Sequence, residues 1–367
     1  MVLVALALLA TGCGESREHP TGRDDLIAFV RTPYGDNGTL GVYVVAPDGT
    51  GERRLTPRRA FVLQGPRWSP DGARLAYVDV DSGFYTVTLD GKSRKLINPQ
   101  GSQDSRVVAW APDGKSLAVT VHLGPHLAPS TAAIVAAEGG PLEHLVVRDV
   151  PKRSYESIVN GAATWSPDSR RLAYSQGPSH PWGGLPSPPW IAIAGIYTLR
   201  VDGSDRRRVT HSGRAQDQVG HWLRNGRILF TRRDGERLML YSVEEDGDDL
   251  KRIAPLPGRG YPAFAVSNDE RSIAWETAAG AEVVSLDGGP VRLLADSKGA
   301  YQLAWSPDDR SIAFTRDGSI WVLDLAGTRG RRITPARSGD EEPAWRPNGA
   351  SAGYDPPPAD ERGADGD

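Results

Sequence analysis

Trp68-Ser69-Pro70-Asp71-Gly72, followed by Arg74-Leu75-Ala76-Tyr77, is the stretch that decides the fold, because near copies of it recur towards the end of the chain. In each copy an apolar segment ends at an anchor residue, Pro and Asp-Gly supply a tight turn, and a second apolar segment begins. This pattern predicts a β-hairpin. The seven anchors lie 39 to 57 residues apart, and they are Trp68, Trp110, Trp165, Trp222, Val266, Trp305 and Trp345.

Each copy continues with two further segments that favour strands. The third is apolar and ends in an acidic-Gly turn, as in residues 85–91. The fourth is short and begins with basic residues, as in residues 94–97 and 331–334. Four strands in about 40 residues form one blade of a β-propeller. The sequence therefore predicts an all-β protein, a β-propeller of four-stranded blades.

The two ends of the repeat region complement each other. Residues 26–30 match a second strand that has no first strand before it, and residues 343–345 match a first strand. Pairing them completes one blade and removes the open edges of the ring. Together with six full repeats this predicts seven blades in residues 26–350. Six or eight blades stay open as alternatives, because the two ends and the Val266 unit match the repeat least well.

The Trp-Ser-Pro-Asp-Gly signature at residues 68–72, with Leu-Ala-Tyr at residues 75–77, resembles the WD40-like repeats of the TolB-like propellers. The same repeats occur in the propeller domains of prolyl-oligopeptidase-type peptidases. The resemblance covers residues 26–350 and implies the propeller fold. It does not specify an activity, because one fold hosts many functions.

The N-terminus predicts export. Residues 1–12 are apolar and end in small residues; they are too few to span a bilayer and are typical of the core of a signal peptide. Cys13, the only cysteine, follows directly. This resembles a bacterial lipobox, which implies cleavage before Cys13 and a lipid attached to it; the alternative is an apolar N-terminus with a chance cysteine. Residues 13–25 are then a tether, and residues 351–367 a disordered acidic tail.

Composition and motifs restrict the class of function. A formal net charge of −3 gives no indication of nucleic-acid binding, which needs a basic surface. A Gly-x-Ser-x-Gly nucleophile elbow is absent, and the Asp-Gly-Lys-Ser runs at residues 90–93 and 113–116 lack the first glycine of a phosphate loop. We therefore predict no catalytic residue, no metal and no cofactor. We also predict that the protein is a monomer.

The order of strands in the repeat predicts which loops share a face. Turns after the anchors and after the third strands lie on one face of the ring. Connections from second to third strands, and between blades, lie on the other, which we call the irregular face. The long insertions at residues 122–130, 148–160 and 177–190 all fall there. Long loops on a rigid scaffold usually carry function, so we expect a binding site on this face.

The candidate binding residues lie on this face. Trp182 and Trp190 are outside the anchors, and they either offer aromatic surface to a peptide or sugar or pin their own loop to the blade. His122, His126 and His180 lie on the same insertions. The glycine and proline between the first two exclude the helix on which a four-residue spacing makes a metal pair.

Carboxylates form a second group of candidates. Asp104, Asp217 and Asp340, with Glu341, precede predicted first strands and are expected at the mouth of the central channel, where they would receive a basic ligand. The sequence thus favours an exported lipoprotein, anchored to the membrane through Cys13, whose irregular face binds an envelope protein, peptide or glycan without chemistry. The alternatives are a propeller hydrolase or lyase acting at the channel mouth and a sensor module.

Overall fold

The computed structural model describes residues 25–32, 40–57, 60, 62–79, 83–97, 106–122, 130–144, 163–176, 195–211, 215–257 and 264–348. These residues form 28 strands in seven four-stranded sheets, and none of them is helical. In these ranges no apolar helix is long enough to cross a membrane. The prediction of an all-β propeller with seven blades is confirmed.

The strands follow the repeat in chain order. The chain begins with β1 (Ile27–Arg31), β2 (Gly41–Val45) and β3 (Arg53–Arg54). Blades 1 to 3 follow, with β4 (Val62–Trp68), β5 (Arg74–Asp79), β6 (Phe84–Thr88) and β7 (Ser93–Ile97); β8 (Arg106–Trp110), β9 (Ser116–His122), β10 (Ser130–Ala136) and β11 (Glu143–His144); and β12 (Ala163–Trp165), β13 (Arg171–Gln176), β14 (Gly195–Arg200) and β15 (Arg207–Arg208).

Blades 4 to 6 continue with β16 (Gln216–Trp222), β17 (Ile228–Asp234), β18 (Arg237–Val243) and β19 (Lys251–Leu256); β20 (Phe264–Val266), β21 (Ser272–Thr277), β22 (Gly280–Ser285) and β23 (Arg292–Leu293); and β24 (Tyr301–Trp305), β25 (Ser311–Arg316), β26 (Ser319–Asp324) and β27 (Arg331–Arg332). The last strand is β28 (Asp340–Trp345). Within each of blades 1 to 6, neighbouring strands are antiparallel and follow the chain.

Blade 7 joins the two ends of the chain. β28 pairs antiparallel with β1, with Ile27 opposite Trp345 and Arg31 opposite Asp340, and the sheet order is β28-β1-β2-β3. The first strands of neighbouring blades contact one another, as β28 and β4 do, so the first strands surround the central channel. The predicted closure is therefore confirmed, and it leaves no blade with an unpaired first strand.

The hydrophobic core lies between the blades. Ala76 and Phe84 of blade 1 pack in one buried cluster with Trp110 and Leu117 of blade 2, and equivalent clusters fill the other junctions. A fully buried side chain such as that of Phe84 or Leu117 contributes about 1.5 to 3 kcal/mol to stability. Each blade is thus held mainly by packing against its neighbours, since a chain with one cysteine cannot form an internal disulfide.

The repeat motif serves both its own hairpin and the neighbouring blade. In the first turn, Ser69 Oγ accepts a hydrogen bond from the Arg74 amide at 2.9 Å, and Gly72 adopts the left-handed conformation with φ of 63°. Four anchor indoles donate to a backbone carbonyl in the first strand of the preceding blade, and these are Trp68 to Ala344, Trp110 to Arg67, Trp165 to Ala109 and Trp305 to Ala265. The anchor is therefore both a core residue and a link between blades.

Candidate functional site

Most of the predicted loop residues lie outside the described part of the chain. This applies to Asp104, His126, His180, Trp182 and Trp190, and also to Cys13. His122 is the last residue of β9, where its backbone is opposite Ser130 at the start of β10. Their roles in binding and in lipid attachment stay predictions.

Asp340, at the start of β28, is fully buried and binds an arginine of its own blade. Its two carboxylate oxygens accept hydrogen bonds from Arg31 Nε at 2.6 Å and Nη2 at 3.0 Å, and Ser338 donates a further one. Arg31 also donates to Glu52 at 2.9 Å and lies 4.5 Å from the ring centre of Tyr43. Burial alone would lower the pKa of Arg31, but its bonds to Asp340 and Glu52 raise it above its ordinary value.

Asp217 makes the same arrangement in blade 4. Its carboxylate accepts hydrogen bonds from Arg232 at 2.6 and 2.7 Å and from the Thr210 hydroxyl at 2.6 Å. The hydrogen bonds to Asp217 raise the pKa of Arg232. We predicted that Asp217 and Asp340 would receive a basic ligand. Each of these carboxylates instead binds an arginine of its own blade. A carboxylate buried in these blades is costly unless it is paired, which explains the arginines.

Glu341, the next residue along β28, differs from Asp340. Its side chain is partly exposed, and it has no hydrogen-bond or ion-pair partner within the described residues. Burial raises its pKa, and the adjacent charge of Glu342 raises it further. The phenol of Tyr301, at the start of β24, has its pKa raised by burial and then by the charges of Glu341, Asp317 and Glu276. These four carboxylates, which we call the acidic mouth, are Glu276, Asp317, Glu341 and Glu342.

The acidic mouth lies where the irregular face meets the channel. Glu341 is near the start of the first strand β28, Glu276 is near the end of the second strand β21, and Asp317 is in the turn between β25 and β26. All three positions are on the irregular face, because first strands begin there and second strands end there. An unpaired carboxylate in this position can accept hydrogen bonds from a cationic ligand.

A chain of hydrogen bonds fixes the backbone beside the acidic mouth. Glu276 Oε2 accepts a hydrogen bond from the backbone amide of Gln302 at 3.0 Å. The side-chain oxygen of Gln302 accepts one from the backbone amide of Glu342 at 2.8 Å, and Glu342 Oε2 accepts one from the backbone amide of Gly65 at 3.0 Å. It links blades 5, 6, 7 and 1 through their inner strands. Gln302 and Glu342 have φ of 54° and 53° at β-bulges. Such strain in residues other than glycine often marks functional sites.

Sequence reasoning found Glu341 but missed this hydrogen-bond network beside it. One signal was available in the repeat itself. Gly65, Gln302 and Glu342 each stand three residues before an anchor tryptophan. Aligning the repeats on the anchors would have shown that this position carries a long polar side chain before Trp305 and Trp345, and glycine before Trp68. A glycine is complementary to a long side chain of the neighbouring unit because it leaves space for it.

The described residues contain no group of three or more His, Cys, Asp or Glu side chains placed to hold a metal ion. The network offers carboxylate and amide oxygens to a ligand. Glu341, beside this network, has its pKa raised by burial. Its chemistry suits the binding of a cation or the transfer of a proton.

Comparisons with known proteins agree with the fold. No protein-family model matches the chain. A stretch of 72 residues is 42% identical to the Tol-Pal system protein TolB 1 of Novosphingobium aromaticivorans, and it covers 18% of this chain and only 16% of that protein.

Two solved structures extend the comparison to most of the chain. TolB from Acinetobacter baumannii superposes with a TM-score of 0.51 at 15% identity, over 88% of this chain and 67% of that one. A puromycin-hydrolyzing peptidase from Mycobacterium tuberculosis gives 0.62 at 16% identity, over 85% of this chain and 52% of that one. At these identities the likeness concerns the fold. The chain is a seven-bladed β-propeller with TolB among its structural neighbours.

Proposed function

We propose that this chain is a non-catalytic binding module of the cell envelope, and that the acidic mouth takes a basic segment of an envelope protein or peptide. The observation that carries the proposal is Glu341. It is a partly buried carboxylate without a described partner, beside Glu342 and next to Asp340, a buried carboxylate that is already paired. A lysine or arginine side chain would supply the missing partner, and its binding would favour the charged form of Glu341.

The long insertions of the irregular face complete the proposed site. In this proposal they wall the mouth and select the ligand, with aromatic surface for a peptide or a glycan. The residues that we assign to this wall are Trp182, Trp190, His180, His122, His126 and Asp104.

The proposed location is the envelope. Support comes from the apolar residues 1–12 followed by Cys13, and from the partial match to a Tol-Pal system protein. We infer export, cleavage before Cys13 and a lipid anchor that holds a monomeric propeller at the membrane. Mass spectrometry of the mature N-terminus tests this; an uncleaved, unmodified Met1 would refute it.

One observation favours a second candidate function, a hydrolase or lyase at the channel mouth. A glutamate whose pKa is raised is better suited to act as a general acid than an ordinary one. Under this alternative, substitution of His122, His126 and His180 abolishes turnover. Under the binding proposal the protein has no turnover to abolish. The effect of the same substitutions is then measured as capture of the partner.

Binding to a defined probe tests the proposal. The probe is a fluorescein-labelled Gly-Lys-Gly-Arg-Gly-Lys peptide, titrated by fluorescence anisotropy. Losing one hydrogen bond to a charged group costs about 1.5 to 3 kcal/mol, so Glu341→Gln should weaken binding about tenfold or more. The matched control is Asp234→Asn, an exposed carboxylate at the end of a second strand on the same face. It should change the Kd less than twofold.

Two results would contradict the proposal. One is an absence of measurable peptide binding by the wild type, and the other is equal Kd values for the wild type and Glu341→Gln. The loops are tested separately. Capture from an envelope extract is compared between the wild type and the double variant Trp182→Ala plus Trp190→Ala. The same set of partners in both would show that these loops are not part of the site.

A further inference from the structure

The outer strands of the propeller make a recurring contact with the next blade. The first basic residue of the outer strand donates a hydrogen bond to a backbone carbonyl at the turn that follows the third strand of the neighbour. This contact closes the rim between blades. The pairs are Arg53 to Leu89, Arg94 to Glu138, Arg292 to Leu325 and Arg331 to Pro47.

The rim between blades 4 and 5 departs from this pattern, as does the rim between blades 3 and 4, where Arg207 pairs with Asp205 of its own blade at 2.8 Å. Lys251 holds the equivalent position on β19, but it pairs with Asp249 of its own blade at 2.6 Å. Arg252 is exposed and has no hydrogen-bond or ion-pair partner in the described part of the chain. A cleft of about 390 Å³ lies at this junction. Its walls are Lys251, Arg252 and Ile253 on one side and Leu286, Asp287 and Gly288 on the other.

Exposed apolar side chains lie close along the chain to both walls of the cleft. Leu250 directly precedes β19, and Val291 and Leu293 belong to the segment that contains β23. These three are the large apolar side chains that are exposed among the described residues, at 40 to 50% of their surface. Leu293 is opposite Glu282 in the register position where other outer strands carry arginine, such as Arg332. We call the cleft and these three side chains the rim surface.

We propose that the rim surface docks a short acidic peptide segment that carries an apolar side chain and belongs to a protein partner. Arg252 provides the charge complementarity, since its guanidinium is unpaired within the described residues. Ile253 and Leu286, which are partly buried against the core of blades 4 and 5, offer an apolar floor to an aliphatic side chain. Burial of such a side chain next to an ion pair gives both affinity and orientation.

The edge of β19 indicates how the peptide is recognised. β19 has six residues, which is long enough for an extended peptide to pair with its edge as an added strand. Pro255 lies within it and lacks the amide hydrogen that strand addition needs. Recognition at the rim surface therefore depends on side chains. This site lies on the outer rim, away from the acidic mouth, so the two proposals stand or fall separately.

Peptide titration tests the rim surface with the full chain. The probe is a fluorescein-labelled Asp-Glu-Leu-Glu-Leu-Asp peptide, and the readout is fluorescence anisotropy. Arg252→Glu should weaken binding at least tenfold and Leu293→Ser about threefold. The matched control is Arg332→Glu, at the equivalent position on β27, which should change the Kd less than twofold. A peptide in which both leucines are replaced by glycine should bind at least fivefold more weakly.

Three outcomes would overturn the proposal. The first is no measurable binding by the wild type. The second is equal weakening by Arg252→Glu and Arg332→Glu, which would indicate diffuse charge attraction. The third is unchanged binding when the leucines of the peptide are removed. If the charge reversal lowers the melting temperature, Arg252→Gln replaces it, and this milder variant should still weaken binding at least threefold.

Discussion

Replacing Asp340 by alanine should destabilise the propeller by about 3 kcal/mol, because it leaves a buried arginine without its main partner. Arg31 is held by Asp340 at 2.6 and 3.0 Å, and Glu52 would remain as its only carboxylate partner within the described residues, beside the ring of Tyr43. Breaking one side of a buried ion pair costs about 3 to 5 kcal/mol, and the lower end applies here because Glu52 still offsets part of the charge.

Urea unfolding followed by tryptophan fluorescence measures this loss. The matched control is Glu52→Gln, since the Glu52 side chain is more exposed than that of Asp340. An ion pair of this kind contributes about 1 kcal/mol or less. A double variant, Arg31→Met plus Asp340→Leu, should lose less stability than Asp340→Ala, because no unpaired charge stays buried. A loss for Asp340→Ala no larger than that for Glu52→Gln would refute the reasoning.

Three further predictions concern the channel and the junctions between blades. Burial raises the pKa of Glu341 in the folded state, so the folded protein binds more protons than the unfolded chain. The free energy of unfolding should therefore fall as pH rises above the pKa of the unfolded state. Glu341→Gln should remove this decline, measured by urea unfolding at about pH 4 to 8. Gly65→Ala should cost about 1 to 3 kcal/mol in urea unfolding, because the new Cβ would lie 2.6 Å from Glu342 Cβ, which cannot move aside without its backbone. Trp110→Phe should lose about 1 kcal/mol beyond Trp345→Phe, since the Trp110 indole donates to another blade and the Trp345 indole has no hydrogen-bond partner among the described residues.

The repeat made most of the fold predictable. Trp68 and its copies mark the first hairpin of each blade, and the pairing of residues 26–30 with residues 343–345 followed from the incomplete units at the two ends. Hydrophobic periodicity and turn residues act over a few positions, and both are visible in a sequence. Strand boundaries were less accurate. The outer strands β3, β15 and β27 are two residues long, whereas basic-apolar segments of four residues were expected.

The site was less predictable, because its groups meet only through closure of the ring. Arg31 and Asp340 are 309 positions apart, so neither residue indicates the other in the sequence. Successive side chains of a strand point to opposite faces, which explains why Asp340 is buried and paired while Glu341 stays partly exposed. A sequence pattern shows where carboxylates occur, but their partners depend on which blades become neighbours.

Closure of the ring is tested most directly by one distance. Spin labels on cysteines that replace Leu26 and Arg346, in a chain that also carries Cys13→Ser, report it by electron paramagnetic resonance. The Arg346 amide donates to the Leu26 carbonyl at 2.8 Å. Opposite positions on paired strands have Cβ atoms about 5 Å apart, so two label arms should keep the distance within about 20 Å. Sheets stacked without returning are about 10 Å apart, which would separate the ends of seven sheets by about 60 Å and contradict the closed propeller.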